Sequence, residues 1–524
     1  MYRSFRTRLN RLLDAAGPQA LQGGLKGLER EALRVAADGH IAQTPHPAAL
    51  GSALTHPWIT TDYSEALLEF VTPPQAQAAD CLRWLDEIHR FVLPRLGDER
   101  LWSGSMPCVV DGEAGIPIAC YGQSNAGRMK HVYRVGLGHR YGKVMQVIAG
   151  VHFNFSLPEA LWPLLRDLDG SQIALPAFVS DGYFRLARNL QRVGWLIPYL
   201  FGASPAVCRS FLAGRPSDLD EWDDGSLYRP FATSLRMSRI GYQNKKEKTC
   251  GVNVSYDNLE SYIRSLSRAI NTPCPQYEDI GVCVDGEWRQ LNANILQIEN
   301  EYYSTMRPKQ PPIGNEKVIC ALARRGVRYV ELRSLDVDPF EPCGVSLEAM
   351  YFAEALLAFC ALEDSPRIGM QERLDLNTNL ELVANSGREP GLLLRRLGRD
   401  ISLQDWAAAV LDALQPICEV LDSGHDDQPY AHALQLQRAK LANPELTPSA
   451  RVLREMARSE SGFFDYGWRL AEAHARSLCR RPLPRARDVE FRALAERSIG
   501  EQAAIEAADE LDFARYLQNY FAQC

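Results

Sequence analysis

The sequence predicts an α+β protein: a large, mainly antiparallel sheet with embedded helices, followed by a helical C-terminal region. Three observations lead there. Up to about residue 345, short β-like runs are separated by long, irregular stretches rather than by regular βα units. From Ser346 onward, apolar residues recur at three-to-four spacing, the period of a helix. Several β-like runs also carry charge on one face and apolar residues on the other, the pattern of a sheet with a polar side. Residues 1–345 therefore form the sheet region that bears the chemistry, and residues 346–524 a mainly helical support packed on the same domain.

The elements follow in order along the chain. MYRSFRTRLNRLLDAAG reads as a short amphipathic helix. GLKGLEREALRV (24–35) is a strand ending at the turn AADG, and ALLEFVTPP (66–74) is a strand stopped by prolines. VMQVIAGVHFNFSLP (144–158) reads as one long β run. DLDEWDDG (218–225) reads as a solvated acidic loop. IGVCVDGEWRQL (280–291) has the pattern of a hairpin turning at Asp285-Gly286. NILQIENEYY (294–303) and RYVELRSLDVDP (328–339) complete the strands. LEAMYFAEALLAFCALED, ISLQDWAAAVLDALQPICEVLD and FRALAERSIGEQAAIEAADELDFARYLQNYF are helical.

Composition narrows the function. The 524 residues include 58 Lys and Arg against 65 Asp and Glu, a net charge of −7, which gives no general attraction to nucleic acid or an anionic membrane. No apolar run approaches the roughly 20 residues a membrane span needs, and the N-terminus lacks the apolar core of a secretory signal. A cytoplasmic protein is expected. The 13 cysteines contain no CxxC pair, which disfavours a zinc ribbon or a dithiol redox motif. Most are expected to be reduced, buried thiols, with room for one structural disulfide. Neither GxxxxGK[ST] nor GxGxxG occurs, so the phosphates of any bound nucleotide must be held through metal ions and arginines.

The placement of charge is the informative feature. Period-2 alternation puts Glu29 and Glu31 on one face of the first strand, with Leu28, Arg30 and Ala32 on the other. Glu69 is the lone charge in ALLEFVTP, seven residues after Asp62. Glu331 shares a face with Arg333, His152 with Asn154 and Ser156, and Gln297 with Glu299 and Glu301. If these five strands join one sheet, it has an apolar side and a carboxylate-rich side. Crowded carboxylates raise one another's pKa values or take up cations. Hard oxygen donors with a single imidazole suit Mg²⁺ or Mn²⁺, and several such ions suit polyphosphate chemistry. Arg134, Arg236, Arg307 and Arg333, each among glycine, aromatic or apolar neighbours, add donors for phosphate or carboxylate. The residues alone thus indicate a metal-dependent enzyme acting on a phosphate-bearing substrate, and leave ligase, kinase and phosphohydrolase open.

Long blocks go further: GLEREALRV, YGQSNAGRMKHVYRVGLGHRYG, GVHFNFSLP, ATSLRMSRIGYQN, LQIENEYYSTMRPK and YVELRSLDVDPF. Through them the sequence resembles the proteobacterial type of glutamate–cysteine ligase, from about residue 21 to beyond 350 and more weakly through the helical tail. The resemblance implies a glutamine-synthetase-like curved sheet forming a funnel-shaped site, with helices outside. It implies ATP- and Mg²⁺-dependent ligation of L-glutamate, through its γ-carboxylate, to L-cysteine. By the same resemblance Glu29, Glu31, Asp62, Glu69, Glu99 and Glu331 hold metal ions, and His152 faces the metal or nucleotide. Arg134 and Arg333 face the transferred phosphoryl group. Tyr133, Arg236, Tyr242 and Tyr303 form the cysteine pocket, and Asn154 contacts substrate. A monomer inhibited by glutathione is also implied. The alternatives are a related glutamate–amine ligase with another acceptor and a non-catalytic glutamate or nucleotide sensor.

Overall fold

The computed structural model describes all residues except 1, 3 and 242–252. Tyr242 therefore lies outside the described residues. The architecture is organised by one long strand, β1 (Leu25–Val35), which the alternating segment 24–35 forms as expected. Around it lie β2 (Ile59–Thr61), β3 (Leu67–Val71), β4 (Arg100–Leu101), β5 (Val151–Ser156) and two further strands, Met306–Lys309 and Tyr329–Leu335. The sheet order is Met306–Lys309, Tyr329–Leu335, β5, β1, β3, β2, with β4 on the far end of β1. Every pairing is antiparallel.

Register decides what shares a face, because directly opposed residues of an antiparallel pair point the same way. One face presents Leu28, Phe153, Leu332 and Met306 in a continuous row. All four are buried. Helix α2 (Ala78–Val92) packs against this side of β1 through an apolar stripe that includes Leu85, Ile88 and Phe91. The apolar core is a continuous cluster that runs from Phe5 to Phe491.

The N-terminal helix α1 (Ser4–Ala16) buries Phe5, Leu9 and Leu12, spaced to share one face. Phe5 meets Phe359 edge-on at 5.2 Å, on the helix Leu347–Leu362. That helix starts at Ser346, whose Oγ accepts the Ala349 N–H, and is buried around almost its whole circumference. A fully buried ion pair, Lys26 Nζ to Glu354 Oε1 at 2.7 Å, ties the root of β1 to it, and Tyr430 Oη donates to the other Glu354 oxygen at 2.8 Å.

Three segments depart from expectation. Residues 144–158 are not one strand. Val144–Val147 is a 3-10 turn that follows helix α3 (Asn125–Tyr141) and its Gly142 terminus, and the strand begins only at Val151. Residues 294–303 form no strand. The Gln297 N–H is taken by the Glu301 carboxylate at 2.6 Å and its carbonyl by Asn292 Nδ2 at 2.9 Å, so local side chains divert groups a ladder would need, while the Ile295 and Leu296 N–H groups go to the Thr272 and Ala269 carbonyls. Within 218–225, Asp220–Asp223 is a strand in a small three-stranded sheet, anchored by Trp222, whose Nε1 donates to the Ser461 carbonyl.

The hairpin at 283–288 does turn at Asp285-Gly286. Both residues have positive φ, +54° and +84°, as a two-residue primed turn requires. Among the described residues, a disulfide joins Cys320 to Cys524 and nine cysteines are free thiols. Among the described residues, no helix is long and apolar enough to cross a membrane.

Candidate active site

The polar face of the sheet gathers carboxylates from three strands and an imidazole from a fourth. Glu31 opposes Glu69 across β1 and β3, and Glu29 opposes His152 across β1 and β5. Asn154 opposes Glu331, which in turn opposes Arg307. Glu29, His152 and Glu331 each offer a ligand atom, and these atoms lie within 4.8 Å of one another. His152 Nδ1 is 3.0 Å from Glu29 Oε2 and 3.6 Å from Glu331 Oε1, and its Nε2 is 3.7 Å from Glu31 Oε1. Glu31 is fixed by the Gly150 N–H, which donates to Oε2 at 2.6 Å. Asn154 Nδ2 donates to Glu29 Oε1 at 2.8 Å, while its own Oδ1 is buried without a hydrogen-bond partner.

The wall divides electrostatically. Burial pushes the Glu331 carboxyl up, but the neighbouring Lys309 and Arg333 charges outweigh it and hold the group well below the usual carboxylate range. Lys309 Nζ and Arg333 Nη1 each lie 3.0 Å from a Glu331 oxygen. Glu29 is likewise lowered: burial and Glu331 oppose its charge, and the His152 hydrogen bond and Lys309 prevail. Glu69 goes the other way, raised well above its ordinary value by burial and by Glu29, Asp62 and Glu31. Glu31 is also raised, chiefly by burial, with Asp62 adding to it. One half of the wall is thus neutralised by the protein's own cations, and the other is short of positive charge. Crowded carboxylates, one imidazole and an orphaned amide oxygen are a donor set that fits hard divalent cations.

Arginines rim the wall. Arg134, on α3, donates from Nε to the backbone carbonyl of Asp62 and lies 4.7 Å over the Tyr121 ring. Arg333 sits where the strand Tyr329–Leu335 takes an extra residue against β5, between Leu332 and Leu335, an irregularity of the kind that re-aims side chains at sites. Arg236 is buried, with Nη2 donating to the Arg333 carbonyl at 2.8 Å. Tyr303 Oη donates to Met237 Sδ at 3.4 Å, next to Arg236. Burial pushes the Tyr303 phenol above its ordinary value, against the opposing charges of Arg236 and Arg333. Tyr133 is half-buried on α3, with its carbonyl accepting from Gln297 Nε2.

Glu99 stands apart. Its carboxylate takes up Arg34 Nη1 at 2.6 Å, and Arg34 belongs by alternation to the face of β1 that carries Leu28, Arg30 and Ala32. The resemblance gave Glu99 a metal-facing place; the structure shows it in an ion pair with Arg34, apart from the Glu29, His152 and Glu331 group. Glu299 and Glu301 are also absent from the wall. Glu301 pairs with fully buried Arg140 at 2.9 Å, and Glu299 accepts the Ile319 N–H. Lys309 was missed, although alternation in MRPK placed it on the face of Arg307.

An antiparallel sheet with a carboxylate wall rimmed by arginines offers hard oxygen donors of the kind divalent cations take and guanidinium donors of the kind anions take. The sequence matches the family model described as glutamate-cysteine ligase over residues 9–383. It is 48% identical to the glutamate–cysteine ligase of Alcanivorax borkumensis over 522 residues, 98% of each chain. It is 50% identical to that of Azotobacter vinelandii over 521 residues, 99% of this chain and 98% of the relative. The crystal structure of the Francisella tularensis glutamate–cysteine ligase in complex with AMP superposes with a TM-score of 0.89 at 35% identity, covering 95% of this chain and 98% of that one. The chain belongs to the glutamate–cysteine ligase family.

Proposed function

We propose that this site joins the γ-carboxylate of L-glutamate to the amine of L-cysteine, using ATP and passing through γ-glutamyl phosphate, to give γ-glutamylcysteine, ADP and phosphate. The observation that carries the reading is the wall itself. Glu29, Glu31, Glu69 and Glu331 share one sheet face with His152, and Arg134 and Arg333 stand at its rim. The AMP held by the Francisella relative supports a nucleotide in this fold.

The chemistry accounts for each part. A carboxylate has no usable leaving group, and phosphorylation supplies one. Mg²⁺ ions held by the wall would screen ATP from the anionic glutamate and draw charge off the γ-phosphate. Arg134 and Arg333 offer guanidinium donors to the oxygens of the phosphoryl group in flight. Tyr133, Arg236 and Tyr303, with Tyr242, hold the acceptor so that its neutral amine meets the acyl carbon. The tetrahedral adduct then collapses with loss of phosphate. Glutathione, which contains both substrate moieties, would compete for the same pocket, and the protein would act as a cytoplasmic monomer.

The test is ADP release with L-glutamate, ATP and Mg²⁺ across a panel of amines. Preferred turnover with L-cysteine is expected. Equal turnover with every amine would point to a different ligase, and ATP binding without product would point to a sensor.

A further inference from the structure

We propose that Asp336 is a positioning residue that fixes the Arg236 guanidinium as the carboxylate grip of the acceptor pocket, so that the enzyme prefers an α-amino acid to a simple amine. The inference rests on the acceptor-pocket reading above.

Asp336 is buried, one residue past the strand Tyr329–Leu335. Its Oδ2 accepts the Ala203 N–H at 2.9 Å and the Ser204 Oγ–H at 2.6 Å. Its Oδ1 accepts the Ser234 Oγ–H at 2.8 Å and lies 3.6 Å from Arg236 Nη1. Three donors from two separate segments therefore orient the carboxylate, and Arg236 supplies the opposite charge that a buried carboxylate needs. Ser234 also caps the short turn Leu235–Met237, its Oγ accepting the Met237 N–H at 3.3 Å. The turn that carries Arg236 is thus hung from Asp336 twice, once through Ser234 and once through the guanidinium.

The opposite end of Arg236 is equally constrained. Nη2 donates to the Arg333 carbonyl and passes so close to Gly150 that a Cβ there would come within 2.1 Å of it. Gly150 in turn holds Glu31 through its N–H. The guanidinium is wedged between Asp336 and the backbone that positions the carboxylate wall. With five N–H donors, it can serve Asp336, the Arg333 carbonyl and a ligand carboxylate together. Tyr303 reaches the same turn through Met237 Sδ. A carboxylate bound there places the acceptor amine relative to the wall, and cysteamine, which lacks that group, cannot use it.

The experiment compares kcat and KM for L-cysteine and cysteamine, and KM for ATP, in wild type, Asp336→Asn, Arg236→Lys and the double variant. Asp336→Asn is expected to lower kcat/KM for L-cysteine about tenfold more than for cysteamine, mainly through KM, with little change in KM for ATP. The double variant should discriminate no worse than Arg236→Lys alone. Equal losses for both acceptors, an equal rise in KM for ATP, or multiplicative effects in the double variant would overturn the proposal. Ser234→Ala removes one of the bonds that orient Asp336. It must shift the cysteine-to-cysteamine ratio the same way by a smaller factor, even if Asp336→Asn fails to fold, and an unchanged ratio refutes the proposal. Wild type inactive with both acceptors would remove the ligase reading and this inference together, whereas active wild type with unaltered discrimination in Asp336→Asn removes the inference alone.

Discussion

Glu31 and Glu69 face each other directly across β1 and β3, and burial and neighbouring carboxylates push both toward their neutral forms. Within the same wall, Lys309 and Arg333 keep Glu331 ionised. The two halves therefore respond differently to protons and to cations.

Divalent cations bind the ionised carboxylates, so Mg²⁺ should displace protons from Glu31 and Glu69. Its apparent affinity should fall as pH is lowered through their raised pKa values. Titration calorimetry at mildly acidic pH, in buffers of different ionisation enthalpy, should give different apparent heats; identical heats would contradict the raised values. Stability follows the same sign. A carboxyl raised above its unfolded value makes the folded state bind more protons, so the cation-free protein loses stability as pH rises through that raised value. Added Mg²⁺ should flatten the decline in Tm.

Glu29→Gln and Glu331→Gln each remove charge while keeping volume. Each should lower kcat by about two orders of magnitude or more, with the circular dichroism spectrum retained. Normal kcat in either variant would exclude that residue from the reaction.

Glu99→Gln should behave differently. It leaves the buried Arg34 guanidinium without its carboxylate, a loss on the order of 3 kcal/mol, visible as a lower denaturant midpoint. Mn²⁺ affinity measured by electron paramagnetic resonance should stay at the wild-type value, and a weakened site would return Glu99 to the metal wall.

The Arg140–Glu301 pair is fully buried on both sides. Glu301 also holds the Gln297 N–H and the Tyr141 hydroxyl. Glu301→Gln should therefore cost about 3–5 kcal/mol of folding stability, and unchanged urea unfolding would show that the remaining bonds suffice.

Much of the wall could be read from alternation, because charge at every second residue of an apolar strand leaves few alternatives. Glu29 with Glu31, and Glu331 with Arg333, are of this kind. Pairing could not be read: nothing in either segment says that Glu31 meets Glu69, since register depends on contacts between strands distant in sequence. The segment 144–150 misled because valines and isoleucine favour strands, while its position just after α3 forces a turn. The segment 294–303 misled because Asn292 and Glu301 take up the Gln297 backbone groups locally and Glu299–Glu301 winds into a 3-10 turn. Glu99 rested on resemblance alone, which does not say which side of the sheet a side chain occupies. Asp336 lay within a quoted block, but its partners Ser204 and Ser234 come from remote loops that only tertiary structure brings together.

The wall draws its residues from β1, β3, β5 and Tyr329–Leu335, so more than three hundred residues separate its first contributor from its last. A chain emerging from the ribosome cannot bring Glu29, His152 and Glu331 together until that final strand docks. A cation bound by those three residues would favour finished molecules, adding to their stability by mass action.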